Sequence, residues 1–179
     1  MNYVIIDFEA TCSNKNEFPR EEMEIIEFAA LCVREDFSSA FLFDFFVKPV
    51  RNPTLTEFCK NLTSITQGDV DHAQPFTVVF SYFNKWLSGI EDPVFCSWGA
   101  YDKKQLIKDL EYHNMSDQYP FDERHFNLKE MYAKKKGWER GCGMAEALRQ
   151  EKLELSGVHH RGVDDVQNIA KLLPFIFSE

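Results

Sequence analysis

Tyr3-Val4-Ile5-Ile6-Asp7-Phe8 is a run of β-branched and aromatic residues that carries one carboxylate and gives way to Glu9-Ala10-Thr11-Cys12. Such a run reads as a buried strand ending near Ala10. Residues two apart on a strand share a face, so Asp7 and Glu9 converge. Taken alone, an acidic pair at a strand end is also what a solvated sheet edge looks like. Asp7, however, directly follows Val4-Ile5-Ile6, where an ionised carboxylate is costly unless it is paired or bound to a metal. A second D-x-E, Asp109-Leu110-Glu111, lies in a helical stretch. There, residues two apart are separated by about 200° and the two acids diverge.

Outward from this strand the chain reads as one α/β domain spanning residues 1–179. Ser13 to Glu22, containing Pro19, is a loop, and Glu24 to Val33 is a strand that pairs antiparallel with the Phe/Leu/Val-rich Phe41 to Val47. Helix starts are expected at Thr54-Leu55-Thr56-Glu57 and within Ser64 to Val70. Phe76, Val79, Phe80, Phe83 and Leu87 follow helical spacing and define a helix over 76–88 that ends at Gly89. Val94 to Trp98 is a short buried strand running into a helix from Tyr101 to His113, with Leu106, Ile107 and Leu110 inward. His125 to Lys129 is a further short strand, and Val163 to Phe177 is the last helix.

The chain has 179 residues and a formal net charge of −9. Acidity disfavours non-specific binding to duplex nucleic acid or membrane surfaces. With 44% hydrophobic residues and 17 Phe, a large core is available, which excludes disorder. No apolar run approaches the roughly 18 residues of a membrane span, and the N-terminus lacks signal-peptide character, so a cytoplasmic protein with no membrane partner is expected. The 5 cysteines show neither a disulfide framework nor zinc-ligand spacing.

Two further acidic sites complete a chemical set. Asp102 falls in the first turn of a helix just after a strand, where a simple dipole-complementing acid is the alternative reading. His159-His160-Arg161-Gly162-Val163-Asp164-Asp165 opens the last helix, where an acid also serves as an N-cap. Carboxylate oxygens suit Mg²⁺ or Mn²⁺, and a histidine beside them is a natural general base.

With these residues in view, the sequence resembles the DEDDh family of 3′-to-5′ exonucleases. The family's D-x-E matches Asp7 and Glu9, its second acid matches Asp102, and its His with an Asp five residues later matches His160 and Asp165. That spacing prefers His160 over His159 and Asp165 over Asp164. Within the family the chain is most similar to the three-prime histone mRNA and enhanced-RNAi exonuclease subgroup. The shared features are Asp7-Phe8-Glu9-Ala10-Thr11-Cys12, Phe58-Cys59 with Leu62-Thr63 and Ile65-Thr66-Gln67, and His160 with Gly162, Asp164-Asp165 and Asn168-Ile169-Ala170. The additional nucleic-acid-binding segment of members that act on structured RNA finds no room in a chain of this length.

The resemblance implies a ribonuclease-H-like fold, a mixed five-stranded sheet flanked by helices. It implies that Asp7, Glu9, Asp102 and Asp165 hold two Mg²⁺ or Mn²⁺ ions and that His160 deprotonates the attacking water. The substrate would be single-stranded RNA or DNA with a free 3′ end, RNA slightly preferred, and the product a nucleoside 5′-monophosphate. Glu9, Ala10, Leu62 and His160 would contact the terminal nucleotide. Trp98 would either stack on a base or belong to the core. Lys103, Lys104, Lys108 and Lys134 to Lys136 are either guides for the strand backbone or solvated helix faces. A competing class is a nucleic-acid-binding module or a proofreading or RNA-processing accessory subunit with little activity alone.

Overall fold

The computed structural model describes residues 1–122 and 124–178. Its sheet has the strand order β4-β3-β2-β1-β5-β6. In chain order the strands are β1 (Asn2–Ala10), β2 (Ile25–Val33), β3 (Ser39–Lys48), β4 (Gln74–Pro75), β5 (Pro93–Ser97) and β6 (His125–Asn127). β1 pairs antiparallel with β2 and parallel with β5, so the sheet is mixed and β1 lies inside it. The expected strands are all present. The sixth, β4, is a two-residue parallel bridge against Val47 and Lys48, too short to leave a periodic signal.

Alternation along β1 explains both core layers. Val4, Ile6 and Phe8 join Phe28, Phe43, Phe80 and Phe83 on one face, the last two from α3 (Phe76–Leu87). Tyr3 and Ile5 join Ala29, Leu31, Val166 and Ile169 on the other, under α7 (Gly162–Ala170). By the same alternation Asp7 and Glu9 project toward α7. Pairing slips between Glu9 and Ala10, where β2 contributes an additional residue, Ile26. Such an irregularity increases twist and re-aims side chains at a strand end.

The short helix α1 (Glu57–Thr63) sits beside the end of β1, and α2 (Gln67–Asp71) packs against β3. Thr56 caps α1 through Cys59 N and donates its hydroxyl to Cys12 O at 2.7 Å, docking the helix onto the strand end. Thr66 and Asp69 form a capping box at α2. A 3₁₀ turn, Arg20–Glu22, interrupts the loop expected over 13–22.

Four other expectations are refined. In α4 (Tyr101–Tyr112) the inward stripe is Asp102, Gln105, Leu106, Asp109 and Leu110, whereas Ile107 is exposed. The polar members replace it because Asp102 and Asp109 accept from the amides of Phe8 and Ile25, while Gln105 Nε2 donates to Met23 O and to Asp109. The strand expected to reach Lys129 stops at Asn127, whose side chain caps α5 (Leu128–Lys136) through Glu130 N. Another short helix, α6 (Met144–Gln150), precedes the final segment. That segment is two helices, α7 and α8 (Leu173–Phe177), because Pro174 has no N–H and belongs in a first turn. Lys134 to Lys136 form the last turn of α5, where positive charge suits the helix dipole, and Lys136 pairs with Glu151 at 2.6 Å.

Buried acids brace the approach to the site. Asp109 accepts from Ile25 N and from Gln105, with Arg51 at 3.9 Å. Glu24, 3% exposed, accepts from the amides of Val50, Arg51 and Asn52 at 2.9, 2.7 and 2.9 Å. Its own backbone N–H donates to Thr11 Oγ1, and its C=O accepts from Thr11 N. Replacing Glu24 by alanine strands three amides, and the expected loss is on the order of 2–4 kcal/mol in urea unfolding. A loss below about 0.5 kcal/mol would mean that the loop solvates these groups without it.

Candidate active site

The carboxylates gather where β1 ends, α4 begins and α7 begins. Ligand-capable oxygens of Asp7, Glu9 and Asp165 all lie within 4.8 Å of one another, and so do such atoms of His159, His160 and Asp165. Asp102 lines the same cleft but stands outside that tight group, with Oδ1 accepting from Phe8 N at 3.0 Å. The cleft holds about 370 Å³ and is also lined by Ala10, Leu62 and Trp98. Every expected site residue thus reaches one cavity. Phe8, Met23, Tyr101 and Met144 line it as well. Their apolar character reads as core in sequence, so nothing distinguished them there.

Trp98 is half-buried between the cleft and the core. Its ring borders the cleft and packs 5.9 Å from Tyr132, while Nε1 donates to Cys142 O at 3.0 Å. Leu62 is exposed on α1.

Local sequence explains how His160 is presented. His160 has φ +66°, a left-handed conformation uncommon outside glycine. Its amide donates to Asp165 Oδ2 at 3.1 Å, and Asp165 N donates back to Arg161 O at 2.9 Å. Buried Asn168 exchanges hydrogen bonds with the backbone of Ser156, and Asp164 accepts from Val158 N. The loop therefore hangs on the first turns of α7. Asp164 acts as a loop clasp, and Asp165 faces the other carboxylates.

Burial raises the affinity of this cluster for protons. Asp7 is pushed well above the usual carboxylate range by burial, then by Asp102, Glu9 and Asp165. Burial and the Glu27 and Asp165 charges push Glu9 to about 9. Burial lifts Asp102 to about 7, although the Phe8 amide works in the opposite direction. Burial lifts Asp165 to about 6. His160 is held below the ordinary imidazole value by burial and by neighbouring His159, so near neutral pH it is a proton acceptor.

These residues fit a divalent cation. The donors are hard oxygens, and Asp165 Oδ1 is buried without a hydrogen-bond partner among the described residues. A cation would satisfy that oxygen and offset repulsion that protonation otherwise relieves.

A family model described as Exonuclease (RNase_T) matches residues 4–173. The chain belongs to that family. It is 30% identical to human ERI1 exoribonuclease 2 over 94% of this chain and 27% of that protein. It is also 30% identical to mouse ERI1 exoribonuclease 3, over 99% of this chain and 56% of the relative. It thus spans between about a quarter and just over half the length of these relatives. The solved nuclease domain of 3′hExo, described as a DEDDh family member bound to rAMP, superimposes with a TM-score of 0.88. Identity to it is 28%, over 96% of this chain and 88% of that one. The mixed sheet is accordingly the ribonuclease-H-like exonuclease fold.

A pH dependence of stability follows. Glu9, Asp102 and Asp165 bind protons more tightly folded than unfolded, so their contribution is full below about pH 4. It is lost as pH rises through about 6, 7 and 9. Metal-free protein should melt at a higher temperature at pH 5 than at pH 8. Added Mg²⁺ or Mn²⁺ should raise the melting temperature mainly at pH 8. Equal metal-induced shifts at both pH values in differential scanning calorimetry would contradict the cation site.

Proposed function

We propose that the chain is a divalent-metal-dependent 3′-to-5′ exonuclease. It removes nucleoside 5′-monophosphates from single-stranded RNA or DNA, with RNA slightly preferred. The observation that carries this reading is the meeting of Asp7, Glu9 and Asp165 oxygens within 4.8 Å, beside His160 and around a buried, unpartnered Asp165 oxygen. The exoribonuclease names of the relatives favour RNA, and the rAMP held by the 3′hExo domain has the form of the proposed product.

In this reading Asp7, Glu9, Asp102 and Asp165 hold two Mg²⁺ or Mn²⁺ ions. When bound, such ions lower the pKa of water and stabilise a departing 3′ oxygen. His160 takes the proton of the attacking water, its imidazole being neutral and tethered through the backbone to Asp165. Ala10 and Glu9 face the terminal sugar, Leu62 from α1 wedges against the terminal base, and Trp98 offers a stacking surface that tolerates any sequence.

The test uses matched 5′-labelled RNA and DNA oligonucleotides, each with and without a hairpin. Single-stranded 3′ ends should shorten stepwise only with Mg²⁺ or Mn²⁺, RNA somewhat faster than DNA. Asp7→Ala should lower the rate by at least about 10³-fold. Equal degradation in excess chelator, or internal cleavage products, would defeat the reading.

A further inference from the structure

Glu27 lies in β2 directly opposite Glu9 and is 0% exposed. A carboxylate buried across from a like charge demands compensation. It does not belong to the tight ligand group formed by Asp7, Glu9 and Asp165. Its partners come mainly from the two residues that follow His160, with Asp44 of β3 also hydrogen-bonded to it. Arg161 Nε approaches both carboxylate oxygens at 3.3 Å, Arg161 Nη2 donates to Oε1 at 3.3 Å, and Gly162 N donates to Oε2 at 3.0 Å. The guanidinium also lies over the Phe46 ring, 5.2 Å from its centroid.

We propose that Glu27 and Arg161 are a positioning pair for His160. This rests on the exonuclease reading of the site. The backbone at 160–162 is held from both sides. His160 N is fixed to Asp165, and Gly162 is pressed so closely on the sheet that a Cβ there would meet Ala29 Cβ at 3.0 Å and Asp7 O at 3.1 Å. Between these points His160 occupies a left-handed conformation that surrounding contacts must enforce. A fork-shaped guanidinium anchored on an immobile strand carboxylate fixes direction as well as distance, which a single amide bond does not. A buried ion pair is weak evidence of stability alone. What recommends this one is its place: β2 carries the anchor, β1 carries Asp7 and Glu9, and the pair ties the His160 loop to that frame.

Steady-state kinetics on a 5′-labelled RNA oligonucleotide test this with Arg161→Leu, Arg161→Lys, His160→Ala and the double variant Arg161→Leu/His160→Ala. Arg161→Leu is expected to lower kcat about 10–100-fold with KM within about threefold, because the base is displaced while the strand still binds. Arg161→Lys should restore part of the loss. In the His160→Ala background Arg161→Leu should cost less than about twofold, since a residue acting through His160 has nothing left to position. A full additional loss in that background overturns the proposal, as does a rise in KM with kcat kept. Glu27→Gln/Arg161→Leu, which leaves no buried unpaired charge, must reproduce the kcat loss if Arg161→Leu alone folds poorly.

Should wild-type protein degrade no oligonucleotide, the exonuclease reading falls, and amide hydrogen exchange still decides the positioning. The His160 and Gly162 amides should exchange about tenfold or more faster in Arg161→Leu. Unchanged exchange overturns the pair.

Discussion

Asp7, Glu9 and Asp165 stand close enough to repel one another through protein rather than through water. At about 4.8 Å and an effective dielectric near 20, two unit charges repel by roughly 3 kcal/mol. Only a stiff frame holds such groups together, and the sheet supplies it. β1 is paired on both sides and packed on both faces, so Asp7 and Glu9 cannot swing apart by bending the strand. α4 is anchored to the same strand through Asp102 and Phe8 N, and α7 rests on the face toward which Asp7 and Glu9 project. The cluster is therefore a property of the sheet's interior position, with strain relieved by protons or cations rather than by movement.

Buried acids in this chain fall into two kinds, told apart by what their oxygens touch. Glu24 accepts from three amides, Asp109 from an amide and Gln105 with Arg51 beside its other oxygen, and Glu27 from Arg161 and Gly162 N. These acids hold loops and helices to strands. Asp165 is different, with one oxygen given to His160 N and the other left without a partner among the described residues. Asp102 is intermediate, sharing one oxygen with Phe8 N while lining the cleft. Unspent acceptor capacity, rather than acidity or burial, separates the acids that face the cavity from the braces around it.

This distinction also measures what the sequence could reveal. The period-two pattern of β1 placed Asp7 and Glu9 on one face, and the helical stripe from Phe76 to Leu87 was explicit, because both signals depend on strict side-chain alternation or spacing. Asp109 and Glu111 separated as a helix requires: Asp109 is buried and Glu111 exposed. Glu27 escaped because it is one carboxylate in an otherwise apolar strand, and its partner lies 134 residues away. The boundary at Asn127, the split before α8 and the inward turn of Gln105 and Asp109 in place of Ile107 depend on single caps and tertiary acceptors, which periodicity does not encode. Ala10 and Leu62 were placed at the site by resemblance and Trp98 as an aromatic platform, and the arrival of Leu62 in the cleft needs the long-range docking of α1 through Thr56 and Cys12 O.

The formal charge of −9 acquires a different meaning once the acids are located. A uniformly acidic surface repels phosphate everywhere, whereas a concentrated cluster of carboxylates repels it most strongly at the cleft. Cations held by that cluster, as proposed, would reverse the local sign without altering the rest of the surface. Attraction of phosphate would then be strongest at the cleft and weak beyond it. Lys136 does little to change this, since it is paired with Glu151, whereas Lys108, which donates to Arg20 O, keeps its charge. In the proposed function, contact would then be concentrated at the cleft, which Leu62 and Trp98 line with apolar surface that needs no complementary charge. With cations in the cleft as proposed, an acidic chain built this way would favour the end of a strand over the body of a duplex.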